Sequence, residues 1–315
     1  VLIFEAMVTQ ATPSFAAPAR PDAARRAFDP MLVGCLVAVY AIWSSTYLAT
    51  NIAVRELPAA VMAAIRFTAG GIAMLAIARR RGAAWPTLAQ WKAQVLPGVL
   101  LFVGGSGFVA IAETTVSSGG AAVVCATMPL CLAVIALLGG DRPSRLEWWS
   151  LGLGLLGVIV LVRSPSLAGK PLHVALLLLS PPAWAVGSLL SRKVPKPAVP
   201  TPGDAFVRPG MQMLIGGVVL GVVALASGET LPTHASATAW VCVGYLFAFG
   251  SLIGFTAYDW LLHHARPVIA TSYAYVNPVG AVLLGAALNG EPLAWSTALA
   301  NLLIVAAVVL ALRKR

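Results

Sequence analysis

The sequence predicts an all-α membrane protein: ten transmembrane helices arranged as an inverted repeat of five plus five, with both termini cytoplasmic. Three observations carry this. First, 59% of the 315 residues are hydrophobic and only 10% are charged, where soluble domains carry roughly 25%. With a mean hydropathy of +0.87, the chain has too few polar side chains to coat a water-soluble globule, so most of its surface must face lipid. Second, the basic residues sort by side. When the loops between apolar runs are taken alternately, seventeen of the 21 Lys and Arg fall on one side, only Arg55, Arg163 and Lys170 fall on the other, and Arg66 stays within a span. Cytoplasmic loops retain positive charge, so the span number is even and both ends are inside. Third, the halves 31–163 and 172–312 resemble each other: Trp43 falls on Trp184, Arg66 with Gly70-Gly71 on Gln212 with Gly216-Gly217, and Pro129 on Pro278. Five spans per half set the second half upside down, which is the arrangement expected of a carrier that opens one central site to either side.

The elements follow in order. Residues 1–30 form an Ala-, Pro- and Arg-rich tail without the apolar core of a signal peptide; it is expected to be disordered, and Val1–Ala6 reads as a leader ahead of a start at Met7. The first five-helix repeat, 31–163, holds spans at 31–51, 58–78, 94–113, 118–138 and 147–163, and the second, 172–312, holds spans at 172–192, 208–227, 238–260, 267–289 and 294–312. In span one, Tyr40, Trp43, Ser44, Tyr47 and Asn51 recur at three- and four-residue spacing, which puts aromatic and polar groups on one face. Lipid offers Ser and Asn no partners, so that face should turn inward, lining a cavity or packing helix on helix. Span two carries Arg66, which either snorkels or pairs structurally, or attracts a substrate carboxylate.

Span three holds Gly104, Gly105 and Gly107, each costing about 1 kcal/mol against alanine in a helix, so another backbone or a substrate must approach closely there. Phe108 follows as a possible aromatic wall. Glu113 ends the span, where it binds an ammonium or a coupling proton, or is simply solvated. Pro129 in span four and Pro278 in span nine are candidate hinges. Span six repeats the pattern of span one with Trp184 and Ser188. Span eight offers Gly250, Ser251, Gly254, Phe255 and Tyr258, with Asp259 expected to form an interfacial salt bridge near His263, His264 and Arg266. In span nine, Tyr273 and Asn277 stand one turn apart before Pro278, which frees a carbonyl and bends the helix; that carbonyl meets a substrate donor, or Asn277 or water.

Other chemistries lack their material. Cys35, Cys125, Cys131 and Cys242 lie in apolar runs with no CxxC and no nearby histidine, so they read as packing residues and no metal site is expected. An intramembrane enzyme would need paired carboxylates, HExxH or GxSxG, none of which occurs in the spans. The net charge of +10 sits in short interhelical clusters rather than along one face, which argues against nucleic acid. No cofactor is implied.

The motifs Ala41-Ile42-Trp43-Ser44-Ser45-Thr46-Tyr47, Ala64-Ile65-Arg66-Phe67 and Thr271-Ser272-Tyr273-Ala274-Tyr275-Val276-Asn277-Pro278, with the loop Asn289-Gly290-Glu291-Pro292, resemble the EamA branch of the drug/metabolite transporter superfamily. That resemblance covers nearly all of 31–312. It implies a central cavity lined by spans one, three, four, six, eight and nine and export of small metabolites, and it looks closest to inner-membrane exporters of aromatic and neutral amino acids. The expected substrate-binding residues are Trp43, Ser44, Tyr47, Phe108, Trp184, Ser188, Tyr258, Tyr273 and Asn277. A proton-coupled multidrug or metabolite exporter is the alternative, with Glu113 essential. The leading expectation is a monomeric carrier working without an obligatory ion.

Overall fold

The computed structural model describes residues 30–138, 145–163, 165–191, 201–265, 267–270, 272–291 and 293–312. The tail ahead of Pro30, the Asp141 loop and the loop bearing Lys193 and Lys196 lie outside the described residues. All regular structure among the described residues is helical. In chain order the helices are α1 (Pro30–Ala53), α2 (Ala59–Arg80), α3 (Leu88–Ala112), α4 (Ser118–Cys125), α5 (Met128–Leu138), α6 (Arg145–Val162), α7 (Pro171–Ser191), α8 (Asp204–Ala226), α9 (Ala237–His264), α10 (Pro267–Ala270), α11 (Tyr273–Asn289) and α12 (Trp295–Leu312). Six of these, α1, α2, α3, α7, α8 and α9, are long and apolar enough to cross a membrane. The rest of the bundle is built from shorter apolar helices. Ile72, Val222 and Leu302 stand more than half exposed, as lipid-facing positions must.

Two departures from regular helix matter for the interior. Val99–Gly107 in α3 and Leu246–Gly254 in α9 are π-helical, nine residues each. A π-turn shifts the side-chain register and leaves carbonyls without their usual partner; Ser180 on α7 donates to the Gly105 carbonyl at 3.0 Å. The expected span 118–138 is split between α4 and α5 at Ala126–Thr127. Pro129 therefore stands in the first turn of α5, where a missing N–H is harmless. Pro278 sits inside α11.

Helix pairing follows the small residues. α2 lies along α8 and α6 along α12, while α1 is held between α9 and α11, and α7 between α3 and the α4–α5 pair. At one end of the bundle, the Glu56 end, carboxylates staple segments distant in sequence. Glu56 accepts from the Ser236 N–H (2.6 Å) and hydroxyl (2.7 Å), Glu229 from the N–H groups of Ala60 and Val61, and Glu291 from the N–H groups of Ser118 and Gly119. Each is an anion at a helix N-terminus, the favourable end of the dipole. The Ser236 donors hold the Glu56 carboxyl below its ordinary range. At the opposite, Arg208 end, Arg208 grips Asp259 through two hydrogen bonds of 3.1 and 2.9 Å, with His263 3.8 Å away. Asp259 thus finds its salt bridge on α8, and Arg266 lies outside the described residues.

Candidate functional site

The helices enclose a cavity of about 100 Å³. One wall is aromatic. Trp43 meets Trp184 edge-on with ring centres 5.5 Å apart, and also meets Tyr258 at 4.9 Å and Tyr273 at 5.1 Å. Phe255 joins the group 6.3 Å from Trp184, and Phe102 and Phe67 extend it toward α2. The two indoles need room beside a backbone, and glycine supplies it. A Cβ on Gly105 would fall 2.5 Å from Trp184, and one on Gly254 would fall 2.7 Å from Trp43. Gly105 and Gly254 are therefore seats for the tryptophans, which accounts for these two glycines in helices that they weaken.

The lining also carries one cation and several hydroxyls. Arg66 reaches the cavity from α2, donating through Nε to the Ser251 hydroxyl at 2.9 Å, with its guanidinium 4.7 Å from the Phe67 ring centre. No ion pair holds it among the described residues. Thr46, Thr50, Ser106 and Ser180 add hydroxyls to the lining. The site thus presents a planar cation with free donor capacity among the rings and hydroxyls of one lining.

Of the residues expected from sequence, Trp43, Tyr47, Trp184, Tyr273 and Arg66 line the cavity. Tyr258 is wholly buried behind it, accepting from Trp184 Nε1 at 3.2 Å and sharing a 2.9 Å hydrogen bond with Ser188. Both therefore hold Trp184 in place rather than facing the open space. Ser44 and Asn277 are buried against each other: Ser44 Oγ lies 3.3 Å from Asn277 Oδ1 and 2.6 Å from the Tyr40 carbonyl, outside the lining. Phe108 also falls outside it, because α3 contributes Phe102, Gly105, Ser106 and Val109, a three-and-four spacing that leaves Phe108 off the face. Glu113 is not solvated as a helix-end residue would be. It is 2% exposed, and neither carboxyl oxygen has a hydrogen-bond partner.

The sequence reading missed the parts played by Phe67, Phe102 and Met213, while Ser251, singled out with Gly250 and Gly254, does line the cavity. Phe67 adjoins Arg66, so its signal was adjacency. Met213 and Phe102 carry none, being ordinary apolar residues in apolar helices. α2 and α8 thereby join the cavity walls, beyond the spans implied by the resemblance.

The EamA-like transporter family matches residues 31–163 and again residues 172–313. The protein named "Uncharacterized inner membrane transporter YedA" of Escherichia coli (strain K12) is 41% identical over 280 residues, covering 89% of this chain and 90% of its own. "Protein PecM" of Dickeya dadantii (strain 3937) is 26% identical over 250 residues, covering 78% and 80%. A solved crystal structure, 20% identical, shares the fold with a TM-score of 0.61 over 90% of this chain and 96% of that one. With both halves matched and a relative so similar across nearly the full length, this chain belongs to the EamA-like transporter family.

Proposed function

We propose that the chain is an inner-membrane carrier that exports amino acids, aromatic or other large neutral ones, or similar small metabolites by alternating access. The observation that carries this is the mixed lining of one cavity: the guanidinium of Arg66 beside Ser251, and the rings of Trp43, Trp184, Phe255 and Tyr273. A molecule with a carboxylate and a ring or branched chain satisfies both. Inner-membrane location is supported by the name of the YedA relative and by the apolar helices.

The reading includes ten spans in an inverted repeat with the Arg208 end cytoplasmic. Its supports are the twofold family match, the equal π-helical segments in α3 and α9, and the way α1 seats Trp43 on α9 while α7 seats Trp184 on α3. Orientation is testable by labelling. A cysteine at Arg80 should resist an impermeant thiol reagent in intact cells, and one at Lys170 should react. The reverse pattern would invert the topology.

Transport is tested by counterflow of labelled L-phenylalanine, L-leucine, L-glutamate and L-arginine in proteoliposomes. Exchange of the first two and not the others is expected. Exchange of none would overturn the amino acid reading. Trp43→Ala should slow that exchange by up to about tenfold, beyond any loss of folded yield, since the indole surface it offers a substrate ring is worth about 0.5–1.5 kcal/mol. Parallel losses of yield and activity would assign Trp43 to packing alone.

A further inference from the structure

Four glutamates lie at the Glu56 end, and three of them are placed as anions are placed elsewhere in proteins. Glu56, Glu229 and Glu291 each accept from backbone N–H groups at a helix N-terminus. Glu113 is placed the other way. It caps the C-terminal end of α3, where the helix presents carbonyls and the negative end of its dipole.

Among the described residues beside it, Asn51, Asn289 and Glu291 are paired. Asn51 donates to the Glu113 carbonyl (3.0 Å) and to the Val116 carbonyl (3.3 Å), and accepts from Arg55 and Asn289, both at 3.1 Å. Asn289 also donates to Glu291 at 3.0 Å, and Glu291 accepts the Ser118 hydroxyl at 2.7 Å. This network joins α1, the α3–α4 turn and the α11–α12 turn. Inside it the Glu113 carboxyl is sealed from water without a donor.

The titratable and charged groups facing it are Tyr47 on α1, Arg66 on α2, Cys125 on α4 and Glu291 after α11. Arg66 favours an anion there but forms no ion pair with it among the described residues, and Glu291 opposes one. His173 lies one contact further off, its Nδ1 3.1 Å from the Thr114 hydroxyl and 3.0 Å from that of Thr115. An ionised carboxylate without donors, in so dry a place, is far costlier than a neutral acid.

We propose that Glu113 is a proton-binding site: the packing of the Glu56 end seen here holds it as the neutral acid, and the parting of that end releases its proton. A solute path through this end has to separate α1, the α3–α4 turn and the α11–α12 turn. Separation hydrates Glu113, and a hydrated glutamate is ionised at neutral pH. Glu113 follows Val109, a lining residue, by one helical turn, its N–H donating to the Val109 carbonyl. Opening and closing this end therefore exchanges one proton. The expectation of transport without any ion assumed a solvated Glu113, and the structure removes that assumption. The consequence for transport rests on the carrier reading; the protonation does not.

Infrared spectroscopy of the purified full chain, without substrate, decides the protonation. At neutral pH a protonated-carboxyl band is expected, shifted in Glu113→Asp and lost in Glu113→Gln. Identical spectra for the wild type and both variants would overturn the proposal. In proteoliposomes, L-phenylalanine counterflow should vary with pH in the wild type and become flat in Glu113→Gln. A pH profile kept by Glu113→Gln but lost in His173→Gln would also overturn it, by assigning the titration to His173. A band present with no counterflow in any protein would overturn the carrier reading and leave the proton site standing.

Discussion

Arg66→Gln is expected to reduce L-phenylalanine counterflow by roughly a hundredfold while leaving folded yield near normal. The guanidinium stands in the cavity with a single side-chain hydrogen bond, to Ser251, and no carboxylate within ion-pair reach among the described residues. A substrate carboxylate is the partner it lacks. A hydrogen bond to a charged group contributes about 1.5–3 kcal/mol, and the upper figure corresponds to roughly a hundredfold. The amide of phenylalanine separates binding from structure, because it keeps the ring and loses the carboxylate. It should exchange weakly through the wild type and lose little further in Arg66→Gln. Equal losses for acid and amide would mean that Arg66 shapes the wall without touching the carboxylate. Arg66→Lys should recover only part of the rate, since an ammonium keeps the charge but cannot present a planar fork while holding Ser251.

Much of this site was legible because it is written twice. Trp43 and Trp184 stand out through their matching places in the two halves, and both face the cavity. The glycines of span three invited the choice between helix packing and a close substrate, and the structure shows packing: Gly104 meets Ala183, Gly105 the Trp184 ring and Gly107 Leu220. What could not be read has physical causes. Nothing in Val99–Gly107 or Leu246–Gly254 announces a π-helix, and an apolar span does not show which of its faces turns inward: Phe102, Gly105, Ser106 and Val109 line the cavity and Phe108 does not. Ser44 and Asn277 lie 233 residues apart and satisfy each other; polar residues in an apolar helix show only that a partner exists, not which. Glu113 misled most, because a glutamate at a helix end is usually wet, and only the Asn51, Asn289 and Glu291 network over it shows otherwise. Six long apolar helices were plain from hydropathy, whereas the break between α4 and α5 hid within one continuous apolar run.

Gly217→Ala is expected to lose most of the folded protein, although it adds one methyl group and raises helix propensity by about 1 kcal/mol. The new Cβ would lie 2.5 Å from the backbone nitrogen of Thr68, and the reciprocal change, Gly71→Ala, would put one 2.6 Å from the backbone nitrogen of Leu214. These are main-chain atoms of the facing helix, so no rotamer can yield and α2 must move off α8. Overpacking in a core costs typically 1–3 kcal/mol when side chains can shift; with backbone on both sides the upper end applies, a large fraction of a stability of about 5–15 kcal/mol. Without a hydrophobic drive between helices in lipid, this close approach is what holds the pair together. Gly221→Ala is the matched control on the same helix, since its Cβ would meet nothing nearer than the Ala64 methyl at 3.8 Å. It should express and melt as the wild type does or slightly better. The measurement is monodisperse yield in detergent together with the thermal midpoint. Equal midpoints for Gly217→Ala and Gly221→Ala would show that the α2–α8 contact does not limit the fold. Where Gly217→Ala protein is recovered, it should also bind substrate poorly, because α2 and α8 carry Arg66, Phe67 and Met213 into the cavity and cannot separate without moving that wall.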